Sequence, residues 1–160
     1  MSEAERIIAR AAEHEGSPTG LTASPAKHLA VLACMDARLD PIAVLGLEPG
    51  DAHVIRNAGG VVTEDAIRSL MLSQQLLGTE EIILIHHTNC GLEGRTDEQV
   101  HDLVEQRTGT RPAFPIETFE VVEDSVRRSL ERLRATPFVK DQRLSGFVYE
   151  VDTGRLRKVE

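Results

Sequence analysis

Two uninterrupted apolar runs, Leu29-Ala30-Val31-Leu32-Ala33-Cys34 and Ile82-Ile83-Leu84-Ile85, constrain this chain more than any other feature. Neither alternates with polar residues, so neither suits a sheet with one wet face. Each reads as a strand buried on both sides, and the predicted strands are 28–34 and 82–86. Around them the periodicity turns helical. Ala4, Ile7, Ile8, Ala11 and Ala12 share one helix face, and Ser2 with Glu5 has capping-box spacing. Asp40-Pro41 opens a short helix that Gly46 closes. Residues 51–56 form a further short strand. The run from Thr63 to Leu77 is helical, with Glu64 and Asp65 in its first turn and Gly78 beyond its end.

Thr96 with Gln99 caps a helix reaching Arg107. Phe119, Val122, Val126, Leu130 and Leu133 predict another over 118–134. Phe147, Tyr149 and Val151 then alternate on one strand face, and Asp152-Thr153-Gly154 turns the chain into Arg155 to Val159, a terminal hairpin. Residues 15–24 and 109–115 read as loops. Strands alternating with helices predict an α/β fold with a mainly parallel β-sheet: four parallel strands plus a C-terminal antiparallel hairpin strand, covered by helices on both faces. With 160 residues, no repeat and no low-complexity segment, the expectation is a single domain over 1–160.

Charge narrows the partners. Acidic residues outnumber basic ones 26 to 18, for a net charge of −8, which argues against a nucleic acid backbone. Aromatic residues make up 3% of the chain, and without Trp there is little for bases to stack on. No apolar run approaches the roughly 20 residues that span a bilayer, so no membrane partner is expected. The opening Met1-Ser2-Glu3-Ala4-Glu5-Arg6 is acidic, where a secretory signal is basic and then apolar. The expected location is cytoplasmic. The two cysteines, Cys34 and Cys90, then point to reactivity or metal binding more than to a bridge.

Both buried strands run into ligand-type residues, and ligands of parallel sheets bind beyond the carboxyl ends of strands. The first continues as Cys34-Met35-Asp36-Ala37-Arg38, the second as His86-His87-Thr88-Asn89-Cys90-Gly91. Zinc takes thiolates and imidazoles tetrahedrally, and a catalytic zinc keeps one of its four positions exchangeable. Cys34, His87 and Cys90 make such a set, with His87 and Cys90 in one tight turn and Cys34 from a neighbouring strand end. Taken singly, these residues have plainer readings. Cys34 can be a core cysteine, or be bridged to Cys90. His86 can compete with His87. Asp36 and Arg38 can be a surface ion pair, and Gly59-Gly60 a turn. A redox pair lacks the Cys-x-x-Cys spacing. His14, His28, His53 and His101 have no ligand spacing and read as structural or exposed.

The pairing of Cys-x-Asp-x-Arg with His-x-x-Cys, and Arg56-Asn57-Ala58-Gly59-Gly60 between them, resembles the β-class carbonic anhydrases, most of all their compact archaeal and actinobacterial-type branch. The resemblance implies Zn2+ held by Cys34, His87 and Cys90, with His86 packed inside. It implies reversible hydration of carbon dioxide to bicarbonate and a proton, with Asp36 and Arg38 as the catalytic dyad. Two thiolates cancel the zinc's charge and make its water less acidic than three histidines do. Arg38 gripping Asp36 bidentately keeps the carboxylate ionised to orient the hydroxide. In a closed form Asp36 becomes the fourth ligand. Substrate oxygens would meet Asn57, Ala58, Gly59 and Gly60, through backbone N–H groups. The resemblance further implies a homodimer or homotetramer, with an interfacial cleft and the N-terminal helix packed across a partner. Two positions depart from the family. Asn89 stands where Asp is common. Leu39 stands where some members have Trp, so no second bicarbonate pocket is expected. The alternatives are a carbonyl sulfide or carbon disulfide hydrolase on the same scaffold, and a non-catalytic zinc- or bicarbonate-binding module, which would not need the dyad.

Overall fold

A computed structural model describes residues 1–13, 16, 18–140 and 143–159. Helix α1 spans Glu3–Ala11 and strand β1 Leu29–Cys34, followed by α2 (Pro41–Leu45), β2 (Ala52–Asn57) and a 3-10 turn at Ala58–Gly60. Then come α3 (Glu64–Gln75), β3 (Glu81–His87), α4 (Asp97–Thr108), α5 (Val122–Arg134), β4 (Leu144–Glu150) and β5 (Arg155–Val159). The strands form one sheet in the order β2-β1-β3-β4-β5. The first four are parallel, and β5 returns antiparallel to β4. This is the sheet that the sequence predicts.

The caps explain where most helices begin and end. Ser2 and Glu5 form a reciprocal capping box on α1, and Thr96 and Gln99 one on α4. The Asp40 carboxylate accepts from the N–H groups of Ile42 and Ala43 at the start of α2, and Gly46 ends it in the left-handed conformation. Helix α5 differs from expectation. It starts at Val122, not Thr118, because tertiary bonds hold the preceding residues extended. Thr118 donates its N–H and hydroxyl to Asp97 Oδ1 at 2.9 and 2.7 Å, and Phe119 forms a parallel bridge with Glu93. Strand β4 likewise ends one residue early. Val151 lies in the turn, its N–H bonded to Thr88 Oγ1.

All six residues of β1 are buried, as its unbroken apolar run requires. The register places His53, Ala30, Ile82 and Leu144 in one row. His53 is hydrogen-bonded to Ser73 of α3, and two residues further along β4 Gly146 meets α5, so α3 and α5 lie on one face. Gly146 is small for a reason: a Cβ there would overlap Val126 Cγ1. On the other face Val54, Ile83, Phe147 and Tyr149 are half-buried, so cover is less even than the sequence suggests. No residue of α1 is buried, and Ile8 is 69% exposed. Among the described residues no helix is long and apolar enough to cross a membrane.

Candidate metal centre

Because β1 and β3 are parallel neighbours, their carboxyl ends open at the same edge of the sheet. Cys34 ends β1, His87 ends β3, and Cys90 follows in the next turn. One ligand atom from each lies within 4.8 Å of the others, and all three residues are buried. Cys34 and Cys90 are free thiols. His87 Nδ1 lies 2.9 Å from the Thr88 carbonyl, so it carries the proton and leaves Nε2 as a lone-pair donor. That Nε2 is buried and has no hydrogen-bond partner. Two buried thiols and an orphaned imidazole nitrogen are a costly arrangement for an apolar core, and they match what zinc takes.

Protons compete for the same positions. A hydrogen bond from Cys90 pushes the Cys34 thiol down to about 4, with help from His87 and against burial. The Cys90 thiol is pushed up by that same bond to Cys34 and by burial. Burial opposes protonation of His87, but the neighbouring Cys34 thiolate outweighs it and raises the pKa.

Beside this set sits the dyad. Arg38 donates Nε to Asp36 Oδ1 at 2.9 Å and Nη2 to Oδ2 at 2.8 Å, and its backbone N–H also reaches Oδ1. These bonds hold the Asp36 carboxyl well below the usual carboxylate range. Asp36 Oδ2 lies 3.7 Å from His87 Nε2, so the carboxylate borders the ligand set while Arg38 grips it.

The turn after β2 supports the first ligand loop. Asn57 accepts from the Met35 N–H, and its Nδ2 donates to the Val61 carbonyl, while its Oδ1 is buried without a partner. Ala58 continues the turn, and Gly59 and Gly60 have φ of 78° and 68°. At Gly60 a Cβ would stand 2.8 Å from both Cys34 N and Ile85 O, so no larger residue fits between β1 and β3. His86 faces the other way, with its ring 6.2 Å from Phe119. Neither of its ring nitrogens has a partner, and burial pushes its pKa down to about 4. His28, His53 and His101 each bond to backbone carbonyls, and His14 lies outside the described residues.

The carbonic anhydrase family model matches residues 29–156, which span every residue of this centre. The chain belongs to the β-carbonic anhydrase family. It is 52% identical over 136 residues to β-carbonic anhydrase 1 of Mycobacterium tuberculosis, covering 84% of this chain and 83% of that one. A carbon disulfide hydrolase of an Acidianus species is 40% identical over 157 residues, covering 82% and 77%. The crystal structure of a carbonic anhydrase from Streptococcus mutans superposes with a TM-score of 0.91 at 38% identity, over 100% of this chain and 99% of that one.

Two groups in this β-carbonic anhydrase carry more of the site than their sequence context suggests. Arg56 donates to the carbonyls of Cys34, Asp36 and Leu39 at 2.7–3.0 Å, so one guanidinium clamps the whole first ligand loop. The available signal was its place before Asn57, on the strand that pairs with β1. Thr88 takes the His87 proton bond on its carbonyl, donates its N–H to Tyr149 and accepts from Val151, which ties the second ligand loop to β4. No local pattern marks it, because its partners are about sixty residues away.

Proposed function

We propose that this chain catalyses the reversible hydration of carbon dioxide to bicarbonate and a proton. The observation that carries the proposal is the buried Cys34, His87 and Cys90 group with an Arg38-held carboxylate at its edge. Zinc bound by these three residues would acidify a water in its open position and supply hydroxide, less readily at neutral pH than a three-histidine site would. The protein's own groups then do the orienting. Ionised Asp36 can only accept hydrogen bonds, so it fixes the proton of the attacking hydroxyl and aims the lone pair at carbon. Arg38 spreads positive charge over both carboxylate oxygens and keeps Asp36 from swinging onto the ligand set. Released from Arg38, Asp36 would itself be able to serve as a further ligand in a closed form. Thr88 holds the His87 ring, and Arg56 holds the Cys34 loop. The turn Asn57, Ala58, Gly59 and Gly60 meets the substrate oxygens in this scheme, through its backbone N–H groups.

The second reading, carbon disulfide hydrolysis, is favoured by the 40% identity to a protein of that name. The higher identity to a named carbonic anhydrase supports the first. Purified protein should hold about one zinc per chain and hydrate carbon dioxide by stopped flow at pH 7 and pH 9, without releasing hydrogen sulfide from carbon disulfide. Sulfide release without hydration would establish the second reading. Bound zinc with neither activity would leave a binding module.

The assembly proposed is a homodimer or homotetramer, supported by the bare apolar face of α1 and the half-open second face of the sheet. Two free cysteines serving as metal ligands support a reducing, cytoplasmic location.

A further inference from the structure

The turn that delivers Cys90 is held from outside by charged side chains, and one of them has no part in the scheme above. Asn89 stands in the left-handed region, with φ of 56°, where a residue other than glycine stays only when its surroundings hold it. Its backbone is gripped at both ends. Arg38 Nη2 donates to the Asn89 carbonyl at 2.9 Å. The Asn89 N–H donates to Glu93 Oε2 at 3.0 Å. The Glu93 N–H in turn donates to the Cys90 carbonyl at 3.0 Å. Glu93 therefore fastens the residue before the ligand with its side chain and the ligand itself with its backbone.

Glu93 is anchored by more than this turn. It bridges to Phe119, whose carbonyl accepts from Gly94 at 2.8 Å and whose N–H reaches the Leu92 carbonyl. Its carboxylate makes no ion pair among the described residues and accepts a hydrogen bond from the Asn89 N–H. A charge-assisted bond to a backbone amide is stronger than a neutral one. Arg38 completes a chain of contacts, since the same Nη2 that holds Asp36 Oδ2 also holds the Asn89 carbonyl. The metal turn and the Asp36–Arg38 dyad share one peptide segment, and Glu93 sits at its other end.

We propose that Glu93 is a positioning residue that fixes the left-handed Asn89 turn and thereby sets Cys90 for metal binding. The proposal rests on the reading of Cys34, His87 and Cys90 as ligands. Its test uses the full chain, with zinc affinity measured by competition against a chromophoric chelator and amide exchange of Asn89 measured in the metal-free protein. Glu93→Ala should weaken zinc binding by roughly 10- to 100-fold, the loss that follows removal of groups that orient a ligand. It should also speed exchange at the Asn89 amide. Glu93→Gln keeps an acceptor oxygen but loses the charge, and should fall between the parent protein and Glu93→Ala in both measurements. Parent-like affinity and exchange in Glu93→Ala would overturn the proposal. So would an equal loss in Glu93→Gln, because charge and not the hydrogen bond would then matter. Cys90→Ser separates the two levels: if it binds zinc as tightly as the parent protein, the ligand reading itself fails, whatever Glu93→Ala shows.

Discussion

Replacing Gly60 by Ala should be among the most damaging single-methyl changes in this chain. Two costs add. An L-residue held at φ of 68° pays about 1–2 kcal/mol for its Cβ. That Cβ would also stand 2.8 Å from Cys34 N and Ile85 O and 3.2 Å from Ala33 C. All three are backbone atoms of β1 and β3, which are paired to each other and cannot swing aside. Overpacking of this kind costs about 1–3 kcal/mol more. The total is about 2–5 kcal/mol, and for a chain of this length the melting temperature should fall by roughly 4–20 °C. Urea unfolding and thermal melts of three variants test it. Gly91 has no atom within 4 Å of its would-be Cβ and no left-handed φ, so Gly91→Ala should change stability by less than about 0.5 kcal/mol. At Gly59 the φ is 78°, but the close atom is the Leu92 Cδ1 at 2.9 Å, which can rotate away, so Gly59→Ala should fall between. Gly60→Ala should also weaken zinc binding, since the displaced atoms belong to the strand ends that carry Cys34 and His87. If Gly60→Ala unfolds at the same urea concentration as Gly91→Ala, the wedge argument is wrong.

Three further outcomes are expected. Asp36→Asn keeps the shape of the dyad but loses the charge that Arg38 grips, and carbon dioxide hydration should slow by roughly 10- to 100-fold with zinc content unchanged. Undiminished stopped-flow rates would exclude an orienting role for Asp36. Zinc affinity should rise with pH across neutrality. Cys34 is already a thiolate there, whereas Cys90 and His87 have raised pKa values and must lose protons to the metal. Each proton released should add about tenfold per pH unit, and equal affinities at pH 6 and pH 8 would contradict this. Asp97→Ala removes the acceptor for the N–H groups of Ile116, Glu117 and Thr118 and for the Thr118 hydroxyl, and should cost about 1.5–3 kcal/mol in urea unfolding. Burial opposes ionisation of Asp97, but those bonds outweigh it and lower the pKa from 3.8 to about 2. The stabilisation is therefore complete above pH 4 and disappears as pH falls through 2. An Asp97→Ala variant as stable as the parent at pH 7 would show that the bonds carry no net weight.

What the sequence reveals and what it hides divide along the range of the interactions. Strands β1 and β3 are legible because burial on both faces leaves an unbroken apolar run, and α2 and α4 because their caps are local. The start of α5 is not. Thr118 and Phe119 fit the helical spacing that continues through Val122, but the partners that extend them, Asp97 and Glu93 respectively, lie more than twenty residues earlier. Periodicity counts apolar positions and has no way to register a carboxylate that takes three backbone amides from another segment. The same limit explains Thr88, whose N–H and hydroxyl oxygen bond to Tyr149 and Val151, partners chosen by the fold and not by spacing.

The metal centre sits between these cases. Its ligand types are visible, since a cysteine ending one buried run and a His-x-x-Cys after another are rare enough together to suggest an ion. Their convergence is a consequence of topology. Were β1 and β3 separated by another strand, or antiparallel, Cys34 and His87 would stand at least two strand spacings apart or at opposite ends of the sheet, and no single ion could join them. The observed order β2-β1-β3 does more than bring the ligands together. It puts β2 on the far side of β1, so Arg56 reaches across to the Cys34 loop while Gly60 closes the gap between β1 and β3 from the next turn. One strand therefore supplies Cys34, its outer neighbour supplies the clamp and the wedge, and its inner neighbour supplies His87 and leads into Cys90. Loss of any one of the three strand-end loops should disturb the other two, because they share backbone atoms as hydrogen-bond partners and as packing contacts.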